Sequence, residues 1–284
     1  MGILTNQIKT AILLGLLAGL LIGIGGLIGG KSGLIIGLVF AIIINFGSYW
    51  FSDKIVLAMY KAKPIGEKDD QNLYRLVKEV ADVFKVPMPK LYIIPTQTPN
   101  AFATGRNPKN AAVAVTEGIL HLLSKDELKG VIAHEMSHVK NRDILIATIA
   151  ATIAGVISYI ASMAQYAAIF GGGNRDNREG GGVIGLLVLA ILTPLIATII
   201  QLAISRSREY LADETGARMI HNPLALANAL QKLESGVKHN PLDFGNRSTA
   251  SLFITNPFSL RGFLNLFSTH PNTGERIRRL KQMV

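Results

Sequence analysis

Four long runs without a charged side chain constrain the fold of this chain more than any other feature. They cover residues 11–30, 33–51, 144–170 and 183–204. Because a helix rises 1.5 Å per residue, each run is long enough to cross a hydrocarbon layer of about 30 Å. A mean hydropathy of +0.34 over 284 residues is also high for a soluble domain. We therefore predict four transmembrane helices.

The distribution of basic residues predicts how these helices are oriented. The chain carries a formal charge of +10. Basic residues that flank the runs on one side of a four-span topology are Lys9, Lys54, Lys61, Lys63, Lys140, Arg142, Arg206 and Arg208. The other side has Lys31 and the loop 171–182, in which two arginines are balanced by two acidic residues. The positive-inside rule then places both termini and both polar segments in the cytoplasm. No nucleic acid is needed to explain the charge.

The runs divide the chain into alternating membrane and polar segments. We predict a transmembrane hairpin over 1–52, which is an uncleaved anchor because a second span follows the first at once. Polar segments over 53–143 and 205–284 flank a second hairpin over 144–204. The glycine-rich loop 171–182 of this hairpin is expected on the external side of the membrane. The predicted fold class is thus membrane α-helical with a cytoplasmic domain.

The first polar segment has the pattern of a small α+β domain. Apolar residues recur at helical spacing within 67–85, and short β-type runs follow at 89–95 and 111–116. Ser124 and Glu127 fit a capping box that starts another helix. Since no glycine or proline interrupts the second half of this helix, it can continue into the third apolar run.

This last helix carries the sequence His134-Glu135-Met136-Ser137-His138. Residues four apart on a helix project from one face, so the imidazoles of His134 and His138 can hold a single Zn²⁺. Glu135 points elsewhere but can reach a water at that site, where it would act as general base. The alternative interpretation is a helix with two surface histidines. An apolar stripe runs along a separate face of the helix, so the histidines are not simply core residues, and we favour the catalytic zinc.

A catalytic zinc needs a third protein ligand and an open position. The chain has no cysteine, so the ligand must offer nitrogen or oxygen. Glu209 is the best candidate, with Asp213 one turn later on the same face to orient a ligand histidine. An exposed ion-pair helix is the alternative interpretation, because Arg206 and Arg208 are adjacent. We favour the ligand role since both motifs lie at the cytoplasmic ends of predicted spans, which brings them within reach of each other.

Taken together, these motifs resemble the HtpX-type family of integral membrane zinc metalloproteases, which is related to the CAAX prenyl endopeptidases. The resemblance rests on "AHEMSHVKNRD", "SRSREYLADETGA", "PNAFATG", "THPNTGERI" and the four-span layout. It implies a zincin-like (glutamate-zincin) catalytic domain with one Zn²⁺ per chain, bound by His134, His138 and Glu209, and Glu135 as catalytic base. It also implies cleavage of misfolded, unfolded or damaged membrane proteins at the bacterial inner membrane, in quality control and the stress response.

Several residues have two interpretations at this stage. His270 is a candidate stabiliser of the oxyanion on the attacked carbonyl, or an incidental residue before a terminal helix. Asp143 either supports the site or forms an ion pair on the helix surface. His121, His221 and His239 lack partners at ligand spacing, and we expect them at the surface. An extended substrate could pair with either "NAFAT" or "AAVAVT" as a sheet edge.

Two other functions compete with a protease at the membrane surface. An intramembrane protease would bury the charged residues that crowd the motif, such as Lys129 and Lys140, at high free-energy cost. A membrane scaffold with a structural zinc site would not need Glu135. The oligomeric state and the cleavage preference do not follow from the sequence.

Overall fold

The computed structural model describes residues 3–154, 206–258 and 271–284. Its helices and strands, in chain order, are α1 (Ile3–Met59), β1 (Lys63–Ile65), α2 (Gln71–Phe84), β2 (Lys90–Ile94), β3 (Ala101–Gly105), β4 (Ala111–Thr116), α3 (Glu117–Leu122), α4 (Lys125–Asn141), α5 (Ile144–Ala154), α6 (Arg206–Met219), α7 (Pro223–His239) and α8 (Thr273–Lys281). Short 3₁₀ turns occupy Pro108–Asn110 and Arg247–Leu252.

The long segment α1 folds back on itself. Nδ2 of Asn45 donates a 3.1 Å hydrogen bond to the carbonyl oxygen of Leu14, 31 residues earlier. A straight helix would separate these groups by about 46 Å, so two limbs must lie side by side. Gly30 adopts a φ of +54° where the chain turns. A Cβ on Gly37 would lie 2.5 Å from the carbonyl oxygen of Leu21, so glycine allows the limbs to approach closely.

The membrane prediction is supported for part of the chain. Among the residues that the structure describes, Gly30–Met59 is the one helix long and apolar enough to cross a membrane, with a mean hydropathy of 2.1. Thr10–Gly23 and Ile144–Ala154 are apolar but shorter. The predicted span 183–204 and the loop 171–182 lie outside the described residues, so four spans stay a prediction.

A mixed four-stranded sheet forms the base of the polar domain, in the order β1-β2-β4-β3. β2 and β4, which correspond to the two predicted strands, pair in parallel, while β1 and β3 join antiparallel at the outside. The three residues of β1 are too few to give a sequence signal. In this order of the described strands, β4 is internal and β3 is an edge. A hydrogen bond from Ala103 to Glu135 joins β3 to α4.

The core of the domain lies between this sheet and helices α2, α4 and α7. The apolar positions of α2 are buried, and Asp70 caps its first turn by accepting a hydrogen bond from the Leu73 amide. On α4 the predicted apolar stripe is buried as well, at Leu128, Ile132, Met136 and Val139. These contacts fix α4 against the sheet, and with it the residues on its other face.

The prediction that α4 continues into the third apolar run is wrong. The helix ends at Asn141, and Arg142 takes a left-handed φ of 56°, with its N–H bonded to the carbonyl oxygens of His138 and Val139. This cap satisfies the last turn and lets a new helix begin at Ile144 in another direction. Asp143, between the two helices, is thereby placed to reach back toward His138.

Candidate active site

The helix that carries the two histidines is fixed at its start by a complete capping box. Oγ of Ser124 accepts from the Glu127 amide, and the Glu127 carboxylate accepts from the Ser124 amide. Two turns later, the Nε2 atoms of His134 and His138 lie 3.2 Å apart. The side chain of His134 is 1% exposed and that of His138 is 17% exposed. The pair therefore opens to the surface only on the His138 side.

A third ligand atom comes from the second polar segment. Glu209, in the first described turn of α6, places Oε2 3.7 Å from Nε2 of His134 and Oε1 3.6 Å from Nε2 of His138. The three residues offer ligand atoms that all lie within 4.8 Å of one another. Helices α4 and α6 come this close because Gly216 has no side chain where they cross.

The donor set fits a zinc ion. Two nitrogens on a tetrahedral zinc with bonds of 2.0–2.1 Å lie about 3.3 Å apart, close to the separation found here. The Nδ1 atoms of both histidines face carboxylates, so their Nε2 atoms converge on one point. Burial lowers the pKa of His138, but Asp143 and Glu209 outweigh burial and raise it to about 10. The site thus attracts a positive charge at the point where the ligand atoms meet.

Each histidine has a carboxylate behind it. Oδ1 of Asp213 lies 2.9 Å from Nδ1 of His134, and Oδ2 of Asp143 lies 3.2 Å from Nδ1 of His138. Both carboxylates are buried. Such partners fix the orientation and tautomer of a metal-binding imidazole. The structure therefore gives Asp143 a contact with His138 rather than a place on the helix surface.

Arg276 is a site residue that the sequence analysis missed. Its side chain is 1% exposed, and its guanidinium donates to both oxygens of Asp213 and to the carbonyl oxygen of Ile254. Burial would lower the pKa of Arg276, but Asp213 raises it above its ordinary value. One sequence signal could have indicated that Arg276 is buried: it lies four residues before Leu280, on the apolar face of the C-terminal helix.

Glu135 lies beside the cluster but points to the sheet. Its Oε2 accepts a 2.8 Å hydrogen bond from the amide of Ala103 in β3, and the residue is 2% exposed. Burial raises the pKa of Glu135 to about 8, with Glu209 adding to the effect. A metal ion bound beside this carboxyl group would lower its pKa again and leave Glu135 ionised, as a general base must be.

Other residues that the sequence singled out lie elsewhere. His121, His221 and His239 are exposed, as expected. His270 lies outside the described residues, so its proposed role stays a prediction. Within the described part of the chain, His134, His138 and Glu209 form the one group of three or more such side chains close enough to hold a metal ion.

Known proteins are similar to this chain in sequence and in fold. The chain matches the model of peptidase family M48 over residues 67–284. A relative called "Protease HtpX homolog" from Syntrophobacter fumaroxidans is 59% identical over 247 residues, which cover 86% of this chain and 88% of that protein. One of the same name from Thermococcus kodakarensis is 53% identical over 245 residues, 86% and 84% of the two chains.

A solved structure supports the fold. The crystal structure of S. mikatae Ste24p aligns with a TM-score of 0.51 and 19% identity over 98% of this chain and 66% of that one. The zincin-like fold predicted from the resemblance is therefore confirmed for the catalytic domain. The family match spans more than half of the chain and includes His134, His138 and Glu209. The chain belongs to peptidase family M48 and is a metalloprotease.

Proposed function

We propose that this metalloprotease is a zinc-dependent endopeptidase of the cytoplasmic (inner) membrane, which cleaves misfolded, unfolded or damaged membrane proteins at the cytoplasmic face. The convergence of His134, His138 and Glu209 beside Glu135 carries the proposal. A role in membrane protein quality control and the stress response is supported by the similarity to HtpX-type proteases. The multi-pass topology, with cytoplasmic termini and active site, is supported by the distribution of basic residues.

Zinc is the metal that suits these ligands. Two imidazoles and one carboxylate, with no cysteine in the chain, match the two-histidine, one-glutamate set of catalytic zinc sites. The buried carboxylates of Asp213 and Asp143 are placed to hold a proton on each Nδ1, which leaves each Nε2 free to bind the metal. The set contains three ligands, so a fourth position is left for water or substrate.

In the proposed reaction, bound zinc supplies Lewis-acid chemistry that polarises the scissile carbonyl and lowers the pKa of a water. Glu135 takes the proton from the attacking water and later gives it to the leaving amine. The Ala103 amide holds Oε2 of Glu135, so the other oxygen, Oε1, is the atom assigned to proton transfer. Burial around Glu135 excludes bulk water, which would otherwise compete for that proton.

The order of the sheet favours β3 as the strand that binds substrate. Among the described residues, β4 has neighbours on both sides, whereas β3 is an edge, and its Ala103 is bonded to Glu135. An extended peptide added to this edge would lie across the metal site and be held through its main chain. Such binding selects for unfolded segments more than for particular side chains. All five residues of β3 are buried.

Proteolysis, and not zinc binding, should distinguish the wild type from its Glu135→Gln variant when both are purified in detergent with zinc. We expect both to bind about one zinc per chain and only the wild type to cleave an unfolded casein, because Gln cannot accept the proton. A suitable control is Glu214→Gln, an exposed residue of α6 paired with Arg218, which should retain activity.

Two results would contradict the proposal. If the wild type binds zinc and cuts neither casein nor a membrane-anchored substrate, a scaffold with a structural zinc site gains support. If Glu135→Gln cleaves as fast as the wild type, Glu135 is not the base, and the proton must be handled by another group.

A further inference from the structure

We propose that the protease cuts membrane-anchored substrates at a short, nearly fixed distance from the bilayer, because β3 is tied to Glu135 and, three residues later, to the membrane surface. This inference rests on the proposed function and specifies its substrate class: polypeptide that emerges from the membrane next to a transmembrane segment. It concerns the position of the cut rather than the chemistry.

The end of β3 farther from the membrane is closed within the domain. The carbonyl oxygen of Ala101 accepts a 3.1 Å hydrogen bond from the amide of Ile254. Nδ2 of the buried Asn100 donates to the carbonyl oxygen of Thr255 at 2.7 Å. A peptide therefore cannot pair along β3 beyond Ala101 without displacing these contacts. The amide of Ala103 already bonds to Glu135, so the part of the edge left for substrate begins at the Ala103 carbonyl and runs toward Gly105.

The other end of β3 is attached to the helices that we assign to the membrane. Oγ1 of Thr104 shares a 3.0 Å hydrogen bond with Oγ1 of Thr148 in α5. The guanidinium of Arg106, just after the strand, lies 4.3 Å from the ring centroid of Trp50 in the second limb of α1. Both contacts join β3 to apolar helices near the residues where those helices become polar.

Trp50 lies where a membrane boundary is expected. Trp50 lies with Tyr49 and Phe51 in a cluster of exposed aromatic residues, and the charged residues Asp53 and Lys54 follow after Ser52. Tryptophan and tyrosine concentrate at the headgroup level of bilayers, and basic residues flank spans on the cytoplasmic side. The contact between Arg106 and Trp50 thus places the end of β3 at the surface of the bilayer.

The end of β3 sets the distance from the active site to this surface. From Ala103, which binds Glu135, to Arg106 is three residues, or about 10 Å of extended chain. A substrate leaving the bilayer in extended form would therefore reach the metal after about three to five residues.

A substrate with a repetitive tail separates position from sequence. A single transmembrane helix followed by an unstructured tail of identical short repeats is placed with the full-length protease in proteoliposomes, and the products are mapped by mass spectrometry. We expect the first cuts about three to five residues from the span. Inserting ten residues of the same repeat, or moving one distinctive repeat, should leave that distance unchanged.

The outcomes separate this inference from the proposed function. Cuts that follow the distinctive repeat wherever it is placed, or that spread evenly along the tail, overturn the fixed distance and leave the protease assignment intact. If casein and the anchored tail both stay uncut while zinc is bound, the proposed function fails, and the fixed distance fails with it. Cuts at constant distance support both.

A variant pair tests the structural cause. Arg106→Ala removes the contact with Trp50 and should broaden the distribution of cut positions by several residues, while cleavage of soluble casein stays within about twofold. Lys109→Ala, an exposed change in the adjoining turn, should leave the distribution as in the wild type. An unchanged distribution in Arg106→Ala would show that this contact does not set the distance.

Discussion

Arg276 and Asp213 form a buried, two-pronged ion pair, with 2.8 Å from Nε to Oδ2 and 2.7 Å from Nη2 to Oδ1. Asp213 in turn lies 2.9 Å from Nδ1 of His134. The C-terminal helix α8 is thus connected to a proposed metal ligand through a carboxylate. This connection explains why an arginine is buried in a helix of only nine residues.

Replacing Arg276 with lysine should weaken metal binding. A lysine ammonium cannot hold both oxygens of Asp213 in a fixed plane, so the orientation of His134 loosens. We expect zinc affinity, measured by competition with a chelator, to fall about 10–100-fold. The exposed Arg278→Lys on the same helix is the control. A lower melting temperature with unchanged zinc affinity would give Arg276 a purely structural role.

Loss of the Asp143 carboxylate should also weaken zinc binding, in this case through His138. Asp143→Asn removes the negative charge beside Nδ1 of His138 and should lower zinc affinity about 10-fold or more. The exposed Asp82→Asn in α2 controls for the loss of one charge. Equal zinc affinities for Asp143→Asn and Asp82→Asn would mean that the contact with His138 does not support the metal.

The parts of the site that could be predicted from the sequence depend on local spacing. His134, Glu135 and His138 have fixed relations on any helix, and the capping box that starts this helix is local as well. Glu209 was selected from its place after a predicted span and from the lack of cysteine. For that residue, the structure supplies the proximity that sequence spacing alone does not contain.

The features that sequence reasoning missed arise from contacts between distant segments. The pairing of Arg276 with Asp213 spans 63 residues and joins two helices, and the choice of β3 as the edge depends on strand order. The break at Arg142 also escaped prediction, because an arginine in a left-handed conformation has no marked sequence signal. In each case tertiary contacts, rather than local preference, decide the conformation.

Gly216→Ala should disturb the metal site without changing any ligand. A Cβ at this position would lie 3.0 Å from the amide nitrogen of His134 and 3.1 Å from the carbonyl carbon of Ala133, so α6 must move away from α4. Such overpacking typically costs about 1–3 kcal/mol. Because Glu209 and Asp213 move with α6, zinc affinity and proteolysis should both fall.

The control for this change is Gly66→Ala. Its Cβ would have its nearest neighbour at 3.7 Å, an ordinary contact with the Asp69 carboxylate. We expect Gly66→Ala to match the wild type in melting temperature and zinc content. If Gly216→Ala matched it too, the two helices would have room to adjust, and the close crossing would not be needed for function.

The Glu127 carboxylate should make stability depend on pH in the acid range. Burial would raise its pKa, but the ion pair with Lys232 and the hydrogen bonds at Ser124 lower it below the ordinary value. A group with a lower pKa in the folded state stabilises the protein above its unfolded pKa of about 4.3, and this contribution is lost as the pH falls through the folded pKa. Glu127→Gln keeps the shape of the side chain but removes its charge, and with it this dependence of stability on pH.

We therefore expect Glu127→Gln to be less stable than the wild type at pH 7, by about 1 kcal/mol, and the difference to shrink below pH 4. Melting temperatures of chelator-treated protein in detergent from pH 7 to pH 3 would show it, since zinc loss at low pH then affects neither sample. Lys232→Met removes the partner and should flatten the profile similarly. A gap between wild type and Glu127→Gln that stays constant down to pH 3 would show that the charge of Glu127 contributes nothing to stability.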